Sequence, residues 1–142
     1  MIGNSEELYD GRLRPLIIIC PGGGYEMTSD REAEGIALKF MAMGYHAAVL
    51  RYSVKPAVYP TALLQLAATV KYFRENSDKY YIDADKIIIC GFSAGGHLVA
   101  SYGNSWNSLQ ITGQMEMKYA DLMHRFCVIR LYHQVNMDIR NQ

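Results

Sequence analysis

The stretch Lys86-Ile-Ile-Ile-Cys90-Gly-Phe-Ser-Ala-Gly95 limits what this chain can fold into more than any other. Its apolar run ends abruptly at a glycine and reads as a strand buried on both faces, as strands of parallel sheets are. Ala94 to Tyr102 follows at once and is compatible with a helix. Between the two lies the spacing G-x-S-x-G. A strand that turns into a helix this sharply brings two chain segments almost into contact, so the turn calls for small residues such as Gly91 and Gly95 beside Phe92, Ser93 and Ala94. The Ser93 backbone is expected to be strained there, with its hydroxyl clear of the sheet. The N–H groups at the start of the following helix would favour negative charge developing nearby. A plain Gly-Ser-Gly turn without chemistry is the bland alternative, and the strand before and helix after weigh against it.

The same logic organises the rest. Pro15-Leu-Ile-Ile-Ile-Cys20 is a second continuous apolar run, closed by Pro21-Gly-Gly-Gly24. Ser29-Asp30-Arg31-Glu32 has capping-box spacing, and Ile36, Phe40 and Met43 then recur at helical intervals up to Gly44, a helix stop. His46-Ala-Ala-Val-Leu50 reads as a strand, and Ser53 to Pro60 as a Pro-marked loop. Thr61 to Glu75 reads as a helix, with Leu63, Leu66, Ala67, Val70 and Phe73 on one stripe. A loop from Asp78 to Asp85 leads into the strand before Ser93. Strand and helix alternate three times, which predicts an α/β fold: a doubly wound, mainly parallel sheet with helices on both faces. Both glycine clusters then fall at carboxyl ends of strands, where such sheets bind ligands.

At 142 residues, 50% hydrophobic and 20% charged, the chain has the composition of one folded domain and is too apolar for intrinsic disorder. Net charge is zero, so the basic surface that nucleic acid or an anionic membrane requires is not expected. No apolar run approaches the ~20 residues of a membrane span. The N-terminus carries acids and no hydrophobic core of a signal peptide, and a cytoplasmic location is expected. Cys20, Cys90 and Cys127 lack any C-x-x-C spacing and fit buried thiols better than a disulfide framework or a zinc site; neither metal nor cofactor is expected.

Pro21 to Tyr25 follows the first strand, where glycine lets backbone approach a substrate carbonyl closely. The predicted donors to a developing oxyanion are the N–H of Ala94 and that of Gly23 or Gly24. A phosphate-binding loop is the rival reading, but neither G-K-[ST] nor G-x-G-x-x-G opening directly onto a helix is present.

The segments IIICPGGGY, SDREAEGIA, GYHAAVLRYSV and YIDADKIIICGFSAGGHL, in this order from Arg14 to Gly103, resemble the esterase/lipase branch of the α/β-hydrolases. More narrowly, they are similar to bacterial acetyl-esterase and xylan-esterase-like proteins. The resemblance implies a serine carboxylester hydrolase acting on short acyl or acetyl esters, including esters of carbohydrates, with Ser93 as nucleophile. It further implies an activating His oriented by an Asp, in the chain order Ser, Asp, His. Peptidase or formamidase chemistry on the same fold stays open. Gln65 departs from the Asp that many relatives carry in the helix before the turn. In the family, the Asp and His lie on loops after later strands. Among the four histidines, His46 opens a strand and is expected to cap or pack there. His97, one turn past Ser93, is expected to point onto its helix surface, and its family counterpart is not the base. His124 and His133 follow Asp121, with Asp138 nearby, but too few residues separate them to build those further strands.

Residues 105–142 carry no sustained period, and residues 14–104 form the motif-bearing core of a single partial domain. A slip of reading frame at the Ala120 codon would let the following bases encode a Pro-Asp lead into an apolar run closing in Cys-Tyr-Pro-Val, which resembles the family's next strand. The tail is therefore expected to derive from a frameshifted, truncated reading frame, leaving a catalytically incomplete fragment as the alternative to an active esterase. Self-association through the exposed edge of the strand before Ser93 is the expected physical consequence.

Overall fold

The computed structural model describes residues 11–105 and 127–131. Among these, four parallel strands form one sheet: β1 (Arg14–Cys20), β2 (His46–Val49), β3 (Ile82–Phe92) and β4 (Cys127–Leu131), in the spatial order β2-β1-β3-β4. Leu16 to Cys20 are fully buried, as a strand with neighbours on both edges and cover on both faces must be. The pleat sends Leu16, Ile18 and Cys20 into one core layer and Ile17 and Ile19 into the other.

Three helices supply the cover. α1 (Glu34–Ala42) packs Ile36, Ala37 and Phe40 over Ile17, Ile19 and Ala47. α2 (Thr61–Glu75) buries Leu63, Leu66, Ala67, Val70 and Phe73, the stripe its 3.6-residue period predicts. α3 (Ala94–Ser105) adds Leu98, Val99 and Tyr102 to the same layer as α2. The fold is thus a doubly wound α/β sheet, as expected.

Three expectations change. Ser29 makes no side-chain cap bond, and Asp30–Glu32 forms a separate 3-10 turn, because Ala33 at φ −113°, ψ −96° interrupts the helix. The Glu32 carboxylate turns instead to the backbone N–H of Gly22 at 2.7 Å. The strand before Ser93 starts earlier than its apolar run, at Ile82, with a register irregularity between Arg14 and Leu16 on its neighbour. The tail, read as poorly patterned, supplies β4, whose Cys127 to Leu131 pair with Ile88 to Phe92. The edge of β3 expected to lie open is therefore occupied, and among the described residues β2 and β4 are the outer strands. The frameshift expected near residue 120 falls outside the described residues.

His46, buried at the start of β2, places Nε2 3.2 Å from the Tyr81 carbonyl oxygen. Burial holds its pKa below the usual 6.5, and the nearby Arg14 charge adds to this, against the opposing pull of the carbonyl bond. A histidine depressed in the folded state contributes stability that is complete above its unfolded pKa and is lost as pH falls below it. The urea midpoint is expected to drop between about pH 8 and pH 5.5. His46→Gln should flatten that drop; an equal drop in the variant would remove His46 as its source.

Candidate active site

The sheet order reverses between β1 and β3: β2 lies beyond β1 and β4 beyond β3. Chain segments leaving neighbouring strands in opposite directions open a crevice at the carboxyl ends, the topological switch point where open α/β sheets bind ligands. Cys20 at the end of β1 is in register with Gly91 near the end of β3, so the glycine loop and the serine turn emerge side by side. Two motifs 70 residues apart in the sequence thus meet at one crevice.

Ser93 sits between β3 and α3 at φ +49°, a conformation few non-glycine residues adopt, and it is exposed. The crowding predicted from the sequence is present. A Cβ on Gly91 would lie 2.7 Å from the Gly96 nitrogen, and one on Gly95 would run into the Cys20 carbonyl and lie 2.6 Å from the Pro21 oxygen. On the facing loop, a Cβ on Gly22 would lie 2.8 Å from the Phe92 oxygen and 3.0 Å from the Ser93 Cβ. The base of the glycine loop therefore rests directly on the serine turn. Gly23 (φ +138°), Gly24 (φ +64°) and Tyr25 (φ +60°) then reverse the chain through three left-handed residues in a row, and Ala94 begins α3. The Gly23 oxygen accepts from the N–H groups of Glu26 and Met27 at 3.0 and 3.2 Å, closing the turn.

Several side chains hold this loop in roles that the sequence did not signal. Glu32 accepts the Gly22 N–H, which separates that donor from those of Gly23 and Gly24. The buried Tyr52 hydroxyl donates to the Pro21 oxygen at 2.5 Å, and burial raises its pKa so that it keeps the proton this bond needs. Arg51 donates to the Thr28 carbonyl and hydroxyl at 3.1 and 2.9 Å and pairs with Asp30 at 2.6 Å. Lys55 pairs with Glu26, and its N–H donates to the Tyr25 oxygen. Residues 51–55 thus brace the loop from the other side. Gln65, the departure from Asp, spans Ser53 with one bond to its N–H and one to its hydroxyl, both 2.7 Å. Reading such partners would have required knowing which loops meet across the sheet.

The histidines separate cleanly. His46 lies at the amino end of the strands, remote from the crevice. His97, expected to lie along its helix, instead reaches the Tyr25 hydroxyl with Nδ1 at 2.8 Å. His124, His133, Asp121 and Asp138 lie outside the described residues. Cys20 and Cys90 are buried free thiols, and burial pushes Cys90 up to about 11 and Cys20 further, so neither is a thiolate near neutrality. Among the described residues, no group of three or more His, Cys, Asp or Glu is placed to hold a metal ion, and no helix is long and apolar enough to cross a membrane. Beside the crevice lies a largely apolar cavity of about 360 Å³, walled by Val58, Tyr59, Pro60, Leu63 and Leu98, with Tyr25 and His97 also lining it.

A serine presented at a helix N-terminus, against backbone that turns through consecutive left-handed residues, is an arrangement suited to acyl chemistry. The family model described as BD-FAE matches residues 8–139. The chain belongs to the BD-FAE family. Its relatives include Esterase LipQ of Mycobacterium tuberculosis, 31% identical over 70% of this chain and 24% of that protein. Among solved structures, MGS-M1, an α/β hydrolase enzyme from a Medee basin deep-sea metagenome library, is 48% identical with a TM-score of 0.65. That match covers 69% of this chain and 41% of the other. The acetyl ester-xyloside bifunctional hydrolase of Caldicellulosiruptor lactoaceticus is 38% identical with a TM-score of 0.64, over 67% of this chain and 36% of that one. This BD-FAE chain has the α/β-hydrolase fold, and it spans 18% to 26% of the length of the curated relatives it matches.

Proposed function

We propose that this chain is a serine carboxylester hydrolase acting on short acyl or acetyl esters, including esters of carbohydrates, through an acyl-enzyme at Ser93. The observation that carries the reading is the left-handed Ser93 at the head of α3 with the Gly22–Gly24 backbone resting against its turn. The names of its relatives, an esterase and an acetyl ester-xyloside hydrolase, support the substrate class. In this reading the Ser93 Oγ forms a bond to the ester carbonyl carbon as its proton passes to a histidine base. The carbonyl oxygen takes the negative charge facing the N–H groups of Ala94 and of Gly23 or Gly24. The alcohol then leaves with that proton, and water releases the acyl group from Ser93.

A second reading has a specific observation behind it. Of the histidines described, His46 lies at the far end of the sheet and His97 has its Nδ1 committed to Tyr25. A nucleophilic serine without a base reacts slowly and does not turn over. Two measurements on the full chain separate the readings: hydrolysis of p-nitrophenyl acetate and covalent labelling by a fluorophosphonate. Turnover and labelling, both abolished in Ser93→Ala, are expected of the esterase. Labelling that Ser93→Ala abolishes, without turnover, identifies the incomplete half. Labelling unaffected by Ser93→Ala overturns both. Sequencing the source DNA across the Ala120 codon tests the frameshift origin of the tail.

A further inference from the structure

Tyr25 and His97 belong to different halves of the crevice and are joined by a single hydrogen bond. Tyr25 ends the left-handed run of the glycine loop, in a conformation few non-glycine residues adopt. His97 lies in the first turn of α3, and its backbone N–H donates to the Ser93 backbone carbonyl at 2.9 Å. The Tyr25 hydroxyl and His97 Nδ1 are 2.8 Å apart, with the rings edge to face at 6.0 Å. The Tyr25 ring also meets Tyr52 edge to face at 5.9 Å, and the Tyr25 carbonyl accepts the Lys55 N–H at 2.8 Å. The ring is thus held by Tyr52 and His97 and its backbone by Lys55, and its polar tip is tied to the helix that presents Ser93.

We propose that Tyr25 and His97 are positioning residues that fix the spacing between the glycine-loop donors and the serine turn. This rests on the reading of Ser93 as nucleophile and names the part that aligns it. An oxyanion site needs two backbone donors at a set separation. Here one group comes from the loop after β1 and the other from the start of α3, with no covalent link shorter than the whole of two βα units between them. Glu32 and Tyr52 hold the base of the loop, at Gly22 and Pro21. The Tyr25–His97 bond ties its tip to the first turn of α3. Neither side chain transfers a proton in this role, so the loss on removing the bond falls on the trapping step and not on encounter with the substrate.

The test is labelling of the full chain by a fluorophosphonate, whose phosphoryl oxygen occupies the oxyanion position, resolved into the binding constant and the trapping rate. Tyr25→Phe and His97→Ala are expected to slow trapping by about tenfold or more with the binding constant unchanged. In His97→Asn a side-chain amide stands close to the place of Nδ1, and trapping should return to within about threefold of the parent. Trapping by Tyr25→Phe and His97→Ala within about twofold of the parent overturns the proposal. If Ser93→Ala labels as fast as the parent, the nucleophile reading fails. The positioning role is then read from amide hydrogen exchange at Gly24 to Glu26. Faster exchange in Tyr25→Phe upholds the link, and unchanged exchange removes it.

Discussion

Replacing Gly95 by alanine is expected to destabilise the fold by more than about 4 kcal/mol, a value seen for few single substitutions. The added methyl would run into the Cys20 carbonyl and lie 2.6 Å from both the Cys20 carbon and the Pro21 oxygen. All of these are backbone atoms, at the end of a strand whose residues Leu16 to Cys20 are completely buried. A flexible side chain could swing away; a central strand cannot, because its N–H and C=O groups are committed to β2 and β3. Small domains are stable by only about 5–15 kcal/mol, so much of the folded population is at risk, and the thermal midpoint should fall by roughly 10 °C or more. Gly35→Ala is the matched control. Its Cβ would meet nothing within 4 Å on the outer side of α1, and replacing a helical glycine there should leave stability unchanged or raise it by up to about 1 kcal/mol. A Gly95→Ala protein as stable as the parent would mean that α3 does not abut β1 as described.

Gly23→Ala is expected to act on chemistry more than on stability. At φ +138° and with the Met27 carbonyl carbon 2.8 Å from its would-be Cβ, Gly23 has no room for a side chain, yet the clash falls within its own turn and not against the buried sheet. The fold should lose about 1–3 kcal/mol, the cost of a strained backbone residue. Ser93 labelling should fall by about 100-fold, the scale on which one oxyanion donor matters. Gly24→Ala provides the comparison: at φ +64° its Cβ would meet nothing within 4 Å, so alanine there carries about 1–2 kcal/mol of backbone strain but no clash. Its labelling rate should stay within about tenfold of the parent. Equal, parent-like rates in both variants would exclude the Gly23 N–H from the oxyanion site.

The parts of this protein legible in the sequence were those set by local or periodic constraints. Ile87 to Cys90 and Leu16 to Cys20 read as doubly buried strands because a parallel sheet covers both faces, and α2 emerged with its stripe intact because Thr61 to Glu75 has an uninterrupted 3.6-residue period. Gly91 and Gly95 were readable as steric necessities. β4 was not. Cys127 to Leu131 carries an arginine in the middle of a short apolar run, and its place beside β3 depends on a partner strand some forty residues earlier that no periodicity reports. Glu32 misled for a related reason: its spacing from Ser29 fits a capping box, but the backbone breaks at Ala33, and the Gly22 N–H is the donor that the folded chain brings within reach.

The sequence by itself thus determined the alternation of strands and helices, the tight turn around Ser93 and the glycine run after β1, each a consequence of residues adjacent in the chain. Only the tertiary structure decided that these two turns share one crevice, that Glu32 and Tyr52 hold the loop's base, and that His97 looks outward to Tyr25 and not along its own helix. Those contacts join residues 10 to 72 positions apart. A hydrogen bond between such residues exists only once the loops and helices that carry them have packed at the sheet's carboxyl end, so no local pattern of residues encodes it.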